Sequence, residues 1–509
     1  MKLIFSKSHA NSLYNIVVIP SAKKTYMTEK IPYIFRQNTD FFYFTGCLEP
    51  DSAVVIHGAS DENFKSELFV KRKDAKAELW DGPRTGVEVA PKLFAVDDAH
   101  PVEDLGNFLQ QIKFEHPSFC LWYDNTSYNE TTNAVIKHFL SQSGGMSWNV
   151  PKQLFHQLRL YKSDSEQEMM RETCRIASEG FKETIGFSKP GRTEHELFTK
   201  FDYEVRMRGA QILAYPPVVA SGDNANVIHY VHNNQKCCHG DLLLMDAGCE
   251  LNGYDSDITR TWPISGQFTD HQKVLYEIVL DTQLKLLKLC EKSDSALNFI
   301  SYAGEKDQKE FAVLMTLPLA TVYNKLCENL PSLDDLFSSM CSLIGSSLVD
   351  NHIVTKTYAA MNDCSYIGFK FCPHHSSHYL GMDVHDCAAI PRTIPVAPGV
   401  VFTVEPGKSQ IGFKFCPHHS SHYLGMDVHD CAAIPRTIPV APGMVFTVEP
   451  GVYISKDCKE TRPEFRGMGI RIEDDILIDK SSNVENLSAM CPKNIDEIES
   501  VYAMRKQSV

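Results

Sequence analysis

No CxxC pair occurs in this 509-residue chain, although it holds 16 cysteines. A zinc ribbon and a thioredoxin-type redox motif are therefore excluded, and irregularly spaced thiols fit a reducing compartment. No apolar run is long enough for a membrane-spanning helix, so no membrane partner is expected. A basic stripe is missing as well. Net charge is −14, which disfavours nucleic acid as a partner. The opening residues, MKLIFSKSHANSLYNIVVIP, have neither the apolar core and cleavage site of a secretory signal nor the Arg-rich length of a transit peptide. They run almost at once into a strand-like segment, YNIVVIPS, so a targeting segment is expected to be missing upstream. What remains is an ordinary globular composition, 43% hydrophobic and 22% charged, in a chain long enough for two or three domains. Most of the acid excess falls after residue 150, where a site built from carboxylates would sit.

Residues 13–150 alternate β-like and helix-like runs. NIVVI, SAVVIHG and SELFVKR read as strands; VEDLGNFLQQI and NAVIKHFLSQS have helical spacing. No catalytic constellation is visible there. Gly144-Gly145 and Pro151 punctuate the chain, which sets the expected domains at 1–150 and 151–509. A long helix is predicted from about Ser165, with Ser165 and Glu168 as a capping box and Met170, Cys174, Ala177, Phe181 and Ile185 as its core stripe. Pro190-Gly191 ends it, and a second helix is predicted from Thr193 to Gly209. Residues 270–350 read as mainly helical. The tetrapeptide KLCE appears at 288–291 and again at 325–328, bracketing what reads as an insertion over 291–327.

The stretch DLLLMDAGCELNGYDSDITRTWPI carries the first chemistry. An apolar strand delivers Asp246, and after the turn residues Asn252-Gly253 the chain returns with Asp257 ahead of ITRTW. Two strands joined by a turn would bring these carboxylates together, with Asp255 solvated nearby. Aspartate is depleted in strands, so acids at strand ends with apolar approaches need a partner, either a salt bridge or a metal. Further on, VFTVEPGVYIS and GIRIEDDILI read as a hairpin with a long loop, placing Glu449 and Glu473 on paired strands.

Between them the chain repeats itself. Residues 367–407 and 411–451 are the same sequence except that Val400 becomes Met444. Solenoids need about three or more stacked units, so two near-identical neighbours read as a local duplication, in the gene or in its assembly. Each copy carries three spaced histidines, His374, His378 and His385, then His418, His422 and His429. The HxxxH spacing of His374 and His378 does not make a zincin helix, because His375 stands where the glutamate would be and nearby glycines oppose a helix.

Asp246, Asp257, one histidine, Glu449 and Glu473 would repel one another if buried without cations. Hard oxygen donors with one nitrogen suit Mn²⁺, Mg²⁺, Co²⁺ or Zn²⁺. Four carboxylates balance two divalent ions, which at about 3.5–4 Å apart could share a bridging hydroxide.

The order and context of these segments, DAG with Asp257-ITRTW, PHHSSHYLGMDVHD, TVEPG and GIRIEDD, resemble the pita-bread metallopeptidases, specifically aminopeptidase P and its mitochondrial-type eukaryotic members. The resemblance covers nearly the whole chain, including IPYIFRQNTDFFYFTG and EPDS near the start. The duplicated block and the 291–327 segment are its two departures. It implies an α/β fold, an N-terminal α/β domain followed by a pita-bread catalytic domain, with two metal ions, usually Mn²⁺. It also implies removal of the N-terminal residue from peptides with proline in second position, and it allows a homodimer and a mitochondrial or cytoplasmic location.

Carried over, the resemblance makes Asp246 a ligand of one metal and Asp257 and Glu473 bridges between both. Glu449 and a histidine complete the set. The hydroxide between the metals attacks the Xaa–Pro carbonyl while Glu449 accepts a proton. His229 in VIHY and His429 in DVHD would position substrate and stabilise the oxyanion, Tyr215 would contact substrate, and His418 and Arg471 would support the ligands from behind.

The metal histidine is a choice between the copies. Only Glu449 runs on through VYIS, and the contiguous second copy favours His422 over His378. Three other readings share these motifs: a prolidase-like dipeptidase, a methionine aminopeptidase, and a metal-less pita-bread protein that binds peptides or histones. The N-terminal domain argues against the second, and the presence of every ligand type argues against the third.

Overall fold

A computed structural model of the chain describes residues 4, 14–126, 129–143, 148–291, 333–372, 423–428, 430, 431, 434, 438, 440–481 and 483–506. The expected insertion lies outside the described residues from 292 onward. So do most of the first repeat copy and residues 411–422 of the second.

Two units divide the chain, Met1–Phe155 and His156–Val509. The division falls inside the helix Lys152–Leu160, because Leu154 and Phe155 belong to the first unit's core.

The first unit is built on β1 (Tyr14–Pro20), followed by β2 (Tyr26–Thr28), β3 (Ile31–Pro32), β4 (Ala53–Gly58), β5 (Phe64–Val70), β6 (Asp98–Pro101), β7 (Phe119–Trp122) and β8 (Trp148–Asn149). Six of these form one mixed sheet in the order β6-β5-β4-β1-β7-β8. Side chains alternate across it: Val17, Ile19, Val54 and Leu68 enter one apolar cluster, while Ile16, Val18, Val55 and Phe69 enter another. Burial on both faces explains why β1 reads as a continuous apolar run rather than an alternating one. The helices Leu105–Glu115 and Glu130–Ser141 cover the second face through Leu109, Ile112, Ile136 and Phe139.

In the second unit the helix Asp164–Phe187 buries the predicted stripe from Met170 to Ile185. Each large apolar side chain so buried contributes about 1.5–3 kcal/mol. Its cap differs from the expected one. The box is Ser163 with Glu166, two residues upstream of Ser165 and Glu168, and Ser163 N–H donates to Glu166 Oε2 at 2.7 Å. Both pairs have the S-x-x-E spacing. Tertiary contacts choose between them, since Lys162 is already held by the carbonyl of Gly443 at 2.8 Å and by the Gln167 amide at 2.8 Å. The second helix, Glu194–Met207, starts where predicted, capped by Thr193 with Glu196.

The strands of this unit are β9 (Ile212–Leu213), β10 (Val218–Ser221), β11 (Leu242–Ala247), β12 (Cys249–Leu251), β13 (Tyr254–Asp255), β14 (Ile258–Pro263), β15 (Val445–Val448), β16 (Gly451–Ile454), β17 (Met468–Arg471), β18 (Asp474–Ile478) and β19 (Val484–Asn486). They form the ladders β10-β11-β14, β13-β12-β9, β15-β18-β19 and β16-β17, all antiparallel. A bridge between Thr259 and Glu473 joins β14 to the segment between β17 and β18.

The two copies of the repeat enter the fold differently. Ile367, Gly368 and Phe371 of the first copy are buried in the helix Cys364–Phe371, capped by Asp363. The second copy supplies β15, and its Tyr423 bridges to Phe446.

Candidate metal centre

β11 is apolar and buried from Leu242 to Met245, then ends on Asp246 and Ala247. Gly248 follows because nothing larger fits: a Cβ there would lie 1.8 Å from the Ser256 carbonyl oxygen. The hairpin β12–β13 turns at Asn252 and Gly253, both at positive φ, and returns the chain at Asp257. Asp255, expected to be solvated, is instead only 1% exposed, and its N–H donates to the Gly425 carbonyl at 2.8 Å. It sits on the returning arm of a hairpin packed into the unit, not on a surface turn.

Glu473 arrives from the other side. The hairpin expected around Glu449 and Glu473 forms as two successive ladders, β16 with β17 and β15 with β18, and both glutamates lie at the step between them. The Glu473 N–H donates to the Thr259 carbonyl at 3.0 Å, and the Thr259 hydroxyl donates to Glu473 Oε2 at 2.6 Å. Asp246, Asp257 and Glu473 each offer a carboxylate oxygen within 4.8 Å of the others. Glu449, 5% exposed, acts on the group through its charge.

Burial and mutual repulsion dominate the electrostatics. Burial pushes the Asp246 carboxyl up to about 6; Arg471 works against that shift and Asp257 adds to it. Glu473 is driven well above the usual carboxylate range by burial, then by the charges of Asp257, Glu449 and Asp246. Desolvation and like charge both disfavour the ionised forms, and a cation at the same place would reverse both effects. Arg471 is the guanidinium at the edge of the cluster. It donates to Asp246, to the Tyr453 hydroxyl at 2.9 Å and through Nε to Thr259 Oγ1 at 3.0 Å. Among the described residues a single guanidinium stands beside three clustered carboxylates, which leaves a negative, oxygen-rich group. That donor set fits hard divalent ions such as Mn²⁺ or Mg²⁺.

The structure thus brings together Asp246, Asp257, Glu473 and Arg471, with Glu449 beside them. Tyr215, expected to contact substrate, points its hydroxyl at the carboxylates, donating to Asp246 Oδ1 at 2.6 Å and also to Asp257 Oδ1. His229 lies on an exposed turn after the short 3-10 helix Gly222–Asn226 and is not part of the carboxylate group. His422, His429 and His418, like His374, His378 and His385, lie outside the described residues.

Sequence reading did not single out Thr259 and Asp475. Asp475 Oδ2 accepts the Asp257 N–H at 3.0 Å and so holds that residue's backbone. The available signal was alternation: Thr259 is two residues on from Asp257, and Asp475 two on from Glu473.

Comparison with known proteins follows the same division. Metallopeptidase family M24 matches residues 168–413 and 408–480, in two segments that meet inside the duplicated block, and the aminopeptidase P N-terminal domain matches residues 6–122. The chain is 36% identical to Xaa-Pro aminopeptidase 3 of Mus musculus, over 97% of this chain and 82% of that one. It is 32% identical to the mitochondrial intermediate cleaving peptidase 55 of Arabidopsis thaliana, over 96% and 79%. Zinc-substituted aminopeptidase P of E. coli, solved with product, superposes with a TM-score of 0.76 at 26% identity, covering 99% of this chain and 97% of its own. With both of its units matched in order, the chain belongs to metallopeptidase family M24, in the aminopeptidase P group.

Proposed function

We propose that this chain is an aminopeptidase that hydrolyses the bond between an N-terminal residue and a following proline, using two divalent metal ions, Mn²⁺ by preference. The observation carrying this reading is the set of three carboxylates, Asp246, Asp257 and Glu473, gathered within 4.8 Å. Divalent ions held there would supply Lewis acidity and make water a nucleophile near neutral pH.

The protein's own residues do the rest. Asp257, just before β14, and Glu473, between β17 and β18, would hold the centre from two sides, and Asp246, at the end of β11, would hold a third. Thr259 and Asp475 fix the carboxylate and the backbone on which that geometry depends. Tyr215 donates to Asp246 Oδ1 and Asp257 Oδ1 and Arg471 donates to Asp246 Oδ2, which fixes the orientation of the Asp246 carboxylate. Glu449, buried at the step between β15 and β16, accepts the proton released by the attacking water and returns it to the leaving amine. His229 and His429 orient the substrate and bind the developing oxyanion.

His422 is assigned as the nitrogen ligand. Its neighbour Tyr423 is buried and bridges to β15, and the Leu424 N–H donates to the Val445 carbonyl at 2.9 Å, which ties the second copy to the Glu449 strand. On this assignment His422→Ala loses turnover and His378→Ala keeps it. The named location of the Arabidopsis relative supports a mitochondrial location over a cytoplasmic one.

Substrate length tests the activity. Peptides of three or more residues with proline second should be cleaved and Xaa–Pro dipeptides left intact. Preferential cleavage of the dipeptides would make the protein a prolidase-like enzyme, and absence of cleavage with metal bound would leave a peptide-binding protein.

A further inference from the structure

The first unit contains a second group of metal-ligating side chains, distinct in chemistry from the carboxylates of the second unit. Register places it. On β4 and β5, Val55 pairs with Glu67, so His57, two residues from Val55, shares the face of Glu67. On β5 and β6, Glu67 pairs with Asp98 and Phe69 with His100, which adds both to that face. It is the face covered by the helix Leu105–Glu115, whose Phe108 ring packs 5.6 Å from His57 and 5.3 Å from His100.

Three of these side chains converge, and His57 lies beside Glu67. Glu67 Oε2 is 2.8 Å from His100 Nε2, and Glu67, Asp98 and His100 each have a ligand atom within 4.8 Å of the other two. His57 is 8% exposed, and its Nε2 lies 3.6 Å from Glu67 Oε1 with no hydrogen-bond partner. That separation is too long for a hydrogen bond. The other ring nitrogen is already engaged, since Nδ1 lies 2.7 Å from the Tyr14 hydroxyl, whose ring is stacked on His116 at 3.7 Å. Asp98 is exposed and His100 half-buried, so an ion has a way in.

We propose that Glu67, Asp98 and His100 hold a Zn²⁺ ion that clamps the edge strand β6 to β5. An imidazole nitrogen beside two carboxylate oxygens favours Zn²⁺ over Mg²⁺ or Ca²⁺. Three protein ligands leave the fourth tetrahedral position to water.

The test uses the full-length protein, stripped with a chelator, reloaded with Zn²⁺ alone and desalted, with zinc counted per chain. His100→Ala and, at the exposed position, Asp98→Asn should each lower bound zinc by about one equivalent relative to wild type. The rate on an Xaa-Pro peptide in Mn²⁺ should be unchanged. Zn²⁺ should also raise the melting temperature of the wild type more than that of either variant. Equal zinc content in wild type and both variants would overturn the proposal. So would a loss of zinc in the variants that comes only with loss of Mn²⁺-supported activity, because the ion would then belong to the carboxylate centre.

Discussion

Glu473 and Asp474 are chain neighbours, both almost fully buried, yet their surroundings are opposite. Glu473 faces Asp246 and Asp257 and is pushed well above the carboxylate range by burial and by those charges. Asp474 faces Arg260 at 2.6 Å and Lys493 at 2.5 Å, accepts from the Ser488 hydroxyl at 2.8 Å and the Asn486 amide at 2.8 Å, and is held well below that range. In the same way Thr259 faces Glu473 while its neighbour Arg260 faces Asp474. Strand alternation separates the two environments by one residue. An acid compensated by the protein's own cations is scaffold, whereas a cluster of acids with one guanidinium at its edge is where an added cation belongs.

The sharpest way to break this contrast is at Asp257. Asp257→Asn should lower turnover by about 10³-fold or more, the scale of losing a group essential to the chemistry. Circular dichroism should stay native and the melting temperature should hold or rise, because a like charge has been removed.

The opposite pattern is expected one strand away. Asp474→Asn leaves Arg260 buried without its partner, which costs about 3–5 kcal/mol and lowers the melting temperature by roughly 4–7 °C in a unit of this size. Turnover per folded molecule should change far less. That stability has a pH signature. The folded carboxyl titrates below its unfolded value of about 3.9, so the difference between wild type and Asp474→Asn should be full above about pH 4 and should shrink as pH falls further. Melting curves across that range check the sign.

Thr259→Val gives a smaller, intermediate effect. It removes the hydrogen bond that orients Glu473 and should weaken Mn²⁺ binding by about 10–100-fold while saturating Mn²⁺ restores most of the rate. Titrating activity against Mn²⁺ separates this from a folding defect.

The acids that form the centre were legible because each interrupts an apolar run: Asp246 after LLLM, Asp257 before ITRTW, and Glu473 inside GIRIEDDILI. The residues that hold them were not. Thr259, Arg260 and Asp475 acquire meaning only when β14 meets the β17–β18 segment across more than two hundred residues, and no local pattern encodes that bridge. The first unit was expected to hold no constellation for a similar reason. His57, Glu67, Asp98 and His100 share a face only through the registers of three strands. The misplaced capping box shows the same limit at short range, since two S-x-x-E pairs compete and Gly443 holds the chain just upstream of the one that wins.

The most direct test of the central claim is the manganese bound per chain in purified full-length protein under Mn²⁺-replete conditions, for wild type and Asp257→Asn. The account predicts about two equivalents in wild type and a clear loss in the variant. Less than about one equivalent in wild type, or equal binding by the variant, would contradict it.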